Sequence, residues 1–233
     1  MKRDGIPTAE QAWLRAQCMI CCVYRADIES ELTASAAPML EELQGWIATH
    51  HLSEEMTETE NEILQAPHGK IPQELLIKAG WMEEGAATIG WVLGIVASLP
   101  SFEKQVLLSE DDLFKGFQFL APEAKPIEGA VARGKECEPC AEYFGAITTC
   151  LRKSLGRKPV ENFSFSSLAQ VSCSLGQIAI VGGDLALDGI PLRDADTSRQ
   201  IEVLSIATER YWAFSWLAGW RLLFEEEPLE VAF

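Results

Sequence analysis

The 233-residue chain is 48% apolar and 23% charged, a globular balance that excludes a disordered chain and leaves enough length for a substantial core. Its 35 acidic and 19 basic side chains give a formal charge of −16, and such a field repels phosphate backbones and anionic lipid heads. Nucleic acid is therefore not an expected partner. The longest apolar stretch, Gly85 to Leu99, has about fifteen residues where a bilayer crossing needs roughly twenty.

The elements follow in chain order. Thr8 is placed to accept the free amides of a first helix that closes near Asp27 and Glu29. Its apolar face is Leu14, Cys18, Cys21, Cys22 and Ile28. Glu10 and Arg15 interrupt any leader-like apolar run behind the basic Met1-Lys2-Arg3 start, so no secretion signal is expected. A second helix begins around Ser35 with Pro38 in its first turn, and Met39, Leu40, Leu43, Trp46 and Ile47 share one face. Thr57 and Glu60 have capping-box spacing for a short helix to Gln65. Pro72 then presets the first turn of a central helix predicted to run from Gln73 to Leu99, where Pro100 stops it.

Prolines and glycines between Ser101 and Lys135 predict an irregular segment, with a turn or two of helix at 110–117. A helix over Pro139–Leu155 should end at Gly156, and another over Ser166–Val181 at Gly182-Gly183. Asp188-Gly189 between two apolar runs predicts one small β-hairpin near residues 184–192. Asp196 or Thr197 caps a last helix reaching Phe224, with Trp212, Trp216 and Trp220 on its stripe, and the tail from Glu225 frays. The expected fold is a mainly α, multi-helix globular domain spanning 1–233, with two packed halves (1–100 and 136–224) joined by the irregular segment 101–135.

Candidate chemistry is sparse. Cys137-Glu-Pro-Cys140 has the spacing of a redox pair or of half a zinc site, but a second cysteine pair for zinc would have to be Cys18 and Cys21, inside a helix. No metal and no cofactor are assigned. Seven cysteines, an odd number with three crowded on one helix, fit reduced thiols in a cytoplasm. His50, His51 and His68 do not converge by spacing. The basic run Arg152, Lys153, Arg157, Lys158 complements a helix C-terminus. Two polar positions sit in apolar surroundings: Glu84 in the central helix and Glu209-Arg210 in the last. A buried carboxylate needs a cationic partner, and Arg210 is the natural one. They read either as a structural ion pair or as the polar part of a pocket with Trp91 and Trp216 as its floor.

Around these residues the sequence resembles the bacterial family of the domain of unknown function 4272. The resemblance is carried by Trp81-x-x-Glu84, Trp91-Val-Leu-Gly94, Leu99-Pro100 and Glu209-Arg210-x-x-Ala213-x-x-Trp216-Leu217. Gly5-Ile6-Pro7, Trp46-Ile47 and Glu60-x-x-Ile63-Leu64 add to it. The chain departs from the pattern at Met82, where arginine is common, and at Tyr211 and Ser215, where histidine and asparagine stand; the stretch from Glu142 to Thr149 lacks the family's basic residues. The family has no established activity, so the resemblance implies a shared helical fold and a bacterial cytosolic setting, and no reaction.

The function expected is that of a non-catalytic binding or interaction protein, pairing with a second copy of itself or with another protein. The alternative is an enzyme or small-molecule binder using Trp81, Glu84, Trp91, Glu209, Arg210 and Trp216, with Cys137 and Cys140 as a separate redox option.

Overall fold

The computed structural model describes residues 5–31, 33–106, 114–158 and 168–220. It is mainly α: α1 (Ala9–Glu29), α2 (Thr33–Thr49), α3 (Glu58–Gln65), α4 (Gln73–Leu93), α5 (Cys137–Ser154) and α6 (Thr197–Leu217). The small β region lies between α5 and α6. There β1 (Ser172–Cys173) and β2 (Gly176–Gln177) form one antiparallel pair, and β3 (Ile180–Val181), β4 (Asp184–Leu187) and β5 (Ile190–Pro191) form a meander.

The helix starts follow their caps. Thr8 accepts from the Gln11 amide while the Gln11 side chain accepts from the Thr8 amide, and Thr57 and Glu60 repeat that exchange at α3. Asp196 accepts from the Ser198 and Arg199 amides to open α6. α2 begins at Thr33, two residues before the expected start, so Pro38 lies inside the helix beyond its first turn.

α4 is the central element, packed on α1 along one side and on α6 along another, while α5 covers α6. One apolar cluster runs through all of these helices, and Trp13, Met19, Ile89, Phe144 and Phe214 lie within it. The segment 101–135 does more than connect. Phe102, Phe117, Phe119 and Ala124 enter the same core, Val106 is buried, and buried Gln17 of α1 donates to the Phe117 carbonyl at 3.0 Å.

Three expectations are corrected. α4 ends at Leu93 rather than Leu99, because Gly94 takes the left-handed conformation (φ 84°) and the amides of Gly94 and Ile95 turn back to the carbonyls of Trp91 and Gly90. α6 ends at Leu217 by the same device at Gly219 (φ 77°), with Trp220 donating to the Ser215 carbonyl. Trp220 is accordingly exposed, and the expected extension to Phe224 and the tail from Glu225 lie outside the described residues. The helix expected over Ser166–Val181 is replaced, in its described part, by a single 3-10 turn and strands β1 to β3. Gly182-Gly183 turns the chain from β3 to β4 with both φ positive (59° and 80°) instead of ending a helix. Asp188-Gly189 does the same from β4 to β5 (53° and 80°), the mirror-image turn whose twist suits a hairpin. The expected hairpin is thus two strands of a three-stranded meander. Of the helical turn expected at 110–117, residues 110–113 lie outside the described residues, and one turn is present from Phe114.

Candidate functional site

Glu84 projects from the middle of α4 and Arg210 from the middle of α6, where the two helices pack. Arg210 Nε donates to Glu84 Oε2 at 2.8 Å, and neither side chain has any exposed surface. Burying two ions is costly unless their remaining donors and acceptors are met. The loop after α4 meets them. Arg210 Nη1 donates to the carbonyls of Pro100 (2.8 Å) and Ser101 (3.3 Å), and Nη2 donates to that of Lys104 (3.0 Å). Glu84 Oε1 accepts the Val106 amide at 2.6 Å. The guanidinium also lies 5.7 Å from the Phe144 ring centroid, a cation–π contact from α5. Burial pushes the Glu84 carboxyl up and the Arg210 guanidinium down, while each partner's charge opposes that shift in the other.

Adjacent residues on a helix point about 100° apart, so Glu209 is turned away from this pair toward α1 and α4. It is 2% exposed. Desolvation raises its pKa to about 8, against the pull of Lys78 and with a further push from the Glu84 charge. It borders a small cavity of about 20 Å³ shared with Met19, Glu60, Lys78, Met82 and Trp212. The residues grouped in the sequence are therefore split: Glu84 joins Arg210 directly, and Glu209 reaches them only through its electrostatic coupling to Glu84.

Of the three tryptophans grouped with these residues, Trp91 and Trp216 serve the core. Trp91 packs edge-on against Phe214 at 6.0 Å, lies under the Arg133 guanidinium at 4.8 Å, and receives a hydrogen bond from Arg133 on its carbonyl. Trp216 is 4% exposed. Trp81 is half-buried and stands outside the apolar cluster.

An open cleft of about 650 Å³ lies on the outer side of the loop that the ion pair holds. Its wall is Ser98, Leu99, Pro100, Glu103, Lys104, Gln105 and Val106, completed by Arg199 and Glu202 from the first two turns of α6. Arg199 is fixed by Asp188 (2.8 Å) in the meander turn, by Glu202 (2.9 Å) and by the Glu103 carbonyl. Glu84 and Arg210 do not line this cleft; they set the shape of its wall from behind.

Cys137 donates to the Arg133 carbonyl at 3.8 Å, whereas Cys140 meets Ser174 at 3.9 Å and shares a hydrogen bond with Cys173 of β1. Cys137 is held up to about 12 by burial, with Glu136 adding to it. The two cysteines of the CxxC spacing thus face different neighbours, Cys137 the Arg133 carbonyl and Cys140 the β1 segment. Two further buried cations were not singled out in the sequence. Arg15 forms an ion pair with Glu60 and donates to the Glu55 carbonyl at 3.0 Å. Arg25 pairs with Glu29 and donates to the Ala66 carbonyl at 3.0 Å. A signal existed: Arg15, Cys18, Cys22 and Arg25 fall on one helical stripe that is otherwise apolar. Among the described residues, no group of three His, Cys, Asp or Glu side chains is placed to hold a metal ion, and no helix is long and apolar enough to cross a membrane.

A mainly α protein in which one buried ion pair holds the backbone beside an open cleft is the class that fold and site define. The chain belongs to the family described as a domain of unknown function (DUF4272), whose model matches residues 2–133, more than half of the sequence. That match covers α1 to α4 and the segment up to Arg133, so it includes Glu84 while Arg210 and the Glu209 stretch lie beyond it. No curated protein and no solved structure matches the chain.

Proposed function

We propose that this chain is a non-catalytic binding protein of the bacterial cytoplasm, and that it receives another polypeptide in the cleft formed by residues 98–106 and the start of α6. The observation that carries the reading is the use made of the Glu84–Arg210 pair. Its hydrogen bonds run to backbone groups of the cleft wall, which favours a preshaped surface over a reacting centre. Mixed charges at Glu103, Lys104, Arg199 and Glu202 suit the polar rim of a protein interface. Seven free thiols, five of them buried, support a reducing setting.

The test is comparative affinity capture from the source cells with the wild-type chain, a Lys104→Glu, Glu202→Lys variant, and a control with charge reversal at the exposed Glu41. The reading expects a protein enriched by the wild type and the control and lost with the cleft variant, at unchanged melting temperature. Equal enrichment by all three contradicts it. A second reading has one specific support: about 650 Å³ falls in the size range of small-molecule sites. It expects a polar metabolite to raise the melting temperature of the wild type and not of the cleft variant.

A further inference from the structure

Cys140 and Cys173 are 33 positions apart in sequence, and the fold brings them together because β1 lies on α5. Cys140 is fully buried and Cys173 is half-exposed. The Cys173 sulfur faces the backbone of the turn that follows it. It accepts the amide of Leu175 at 3.4 Å, from the turn that joins β1 to β2, and the Gly176 amide and the Cys140 thiol are close enough to act on it electrostatically, while Cys140 itself lies 3.9 Å from the neighbouring Ser174 hydroxyl. Gly176 in this turn has a φ of 146°, a conformation that side-chain-bearing residues rarely adopt. An amide donating to a sulfur, with further donors close by, favours its anion.

We propose that Cys173 and Cys140 form a hydroperoxide-sensitive thiol pair, in which Cys173 is the attacking sulfur and Cys140 the resolving one. The Cys173 thiolate attacks the distal oxygen of a hydroperoxide, forming an S–O bond as the O–O bond breaks. The peroxide accepts two electrons and leaves as the alcohol, or as water when the oxidant is hydrogen peroxide, after taking up one proton. The Cys140 sulfur then displaces hydroxide from the Cys173 sulfenic acid, and its own thiol proton leaves with that hydroxide as water. The product disulfide staples the β1–β2 hairpin to α5. A dithiol reductant restores both thiols by exchange.

The other groups around the pair are consistent with this division of labour. The hydrogen bond from Cys140, followed by the two turn amides, holds the Cys173 thiol below its ordinary value, against burial and the Glu136 charge. Cys140 itself is pushed well up, first by donating to Cys173 and then by burial. Cys150, half-exposed on the same helix, is raised to about 11 by burial and is the internal comparison. The proposal goes beyond the binding reading and does not depend on it.

The test uses the intact reduced protein. It is treated with hydrogen peroxide, blocked with an alkylating agent and mapped by peptide mass spectrometry. The expected result is a Cys140–Cys173 cross-link with the loss of two hydrogens, reversed by dithiothreitol. Cys140→Ser, which keeps a donor of similar shape, should stop at a Cys173 sulfenic acid that dimedone traps. Without peroxide, iodoacetamide at neutral pH should modify Cys173 at least roughly tenfold faster than Cys150, following thiolate fraction. A cross-link between Cys137 and Cys140, or a Cys173 that stays reduced and alkylates no faster than Cys150, overturns the proposal. Because the wild-type measurements stand alone, a poorly folded variant does not decide the outcome.

Discussion

Glu209 is held neutral at physiological pH by its surroundings. Its pKa of about 8 in the fold, against an ordinary 4.5, means that folding takes up a proton between those values. The sign follows: the stabilisation is complete below the unfolded-state pKa and is lost as pH rises through about 8. Glu209→Gln keeps the shape without the titration. Relative to wild type, the variant should gain on the order of a few kcal/mol between about pH 4 and about pH 9, read by urea denaturation across that range; parallel curves would show that Glu209 does not titrate in the fold. The Glu84–Arg210 pair behaves differently, because each residue neutralises the other. Removing either partner alone, as in Glu84→Gln or Arg210→Met, should cost about 3–5 kcal/mol, and the double variant should cost less than the sum. Additive losses in denaturant titrations would show that the two charges are not coupled.

At the scale of elements, glycines of α4 let neighbouring segments pack close to its backbone. A methyl group at Gly90 of α4 would stand 2.8 Å from Val96 Cγ2 and 2.9 Å from Phe117 Cε2, both fixed in the core. A methyl at Gly85 would meet the mobile end of Met19 at 2.9 Å. Gly90→Ala should therefore destabilise by about 1–3 kcal/mol through overpacking. Gly85→Ala should be near neutral, because Met19 can turn aside and alanine favours the helix by up to about 1 kcal/mol. Thermal unfolding of the two variants separates them, and equal melting temperatures would contradict the packing. The same scale shows what the sequence made legible. α4, α5 and α6 all end on a left-handed glycine, with the next residue's amide reaching back to the carbonyl five positions earlier. Gly156 announced this ending for α5, since basic and polar residues follow it. Gly94 and Gly219 sit inside apolar runs, Val-Leu-Gly-Ile-Val and Leu-Ala-Gly-Trp, where the hydrophobic signal masks the stop. Between α5 and α6, Val171, Ile178, Ile180 and Val181 carry a β preference that a helical reading of the run overlooked.

At the scale of the whole molecule, Glu84 and Arg210 were legible as a buried pair because each interrupts an apolar stripe. Their other partners were not, since the Val106 amide and the Pro100, Ser101 and Lys104 carbonyls are backbone groups that leave no mark on residue type. The Cys140–Cys173 contact is hidden for a related reason: it arises from how β1 folds back on α5, and no local spacing encodes it. α4 and α6 together clamp the loop that walls the cleft. Hydrogen exchange at the Val106 amide tests that most directly. If Glu84 holds this amide in the core, its exchange should be as slow as that of the central amides of α4 and should become markedly faster in Glu84→Ala. Exchange in the wild type at the rate of an open, solvated loop would contradict it.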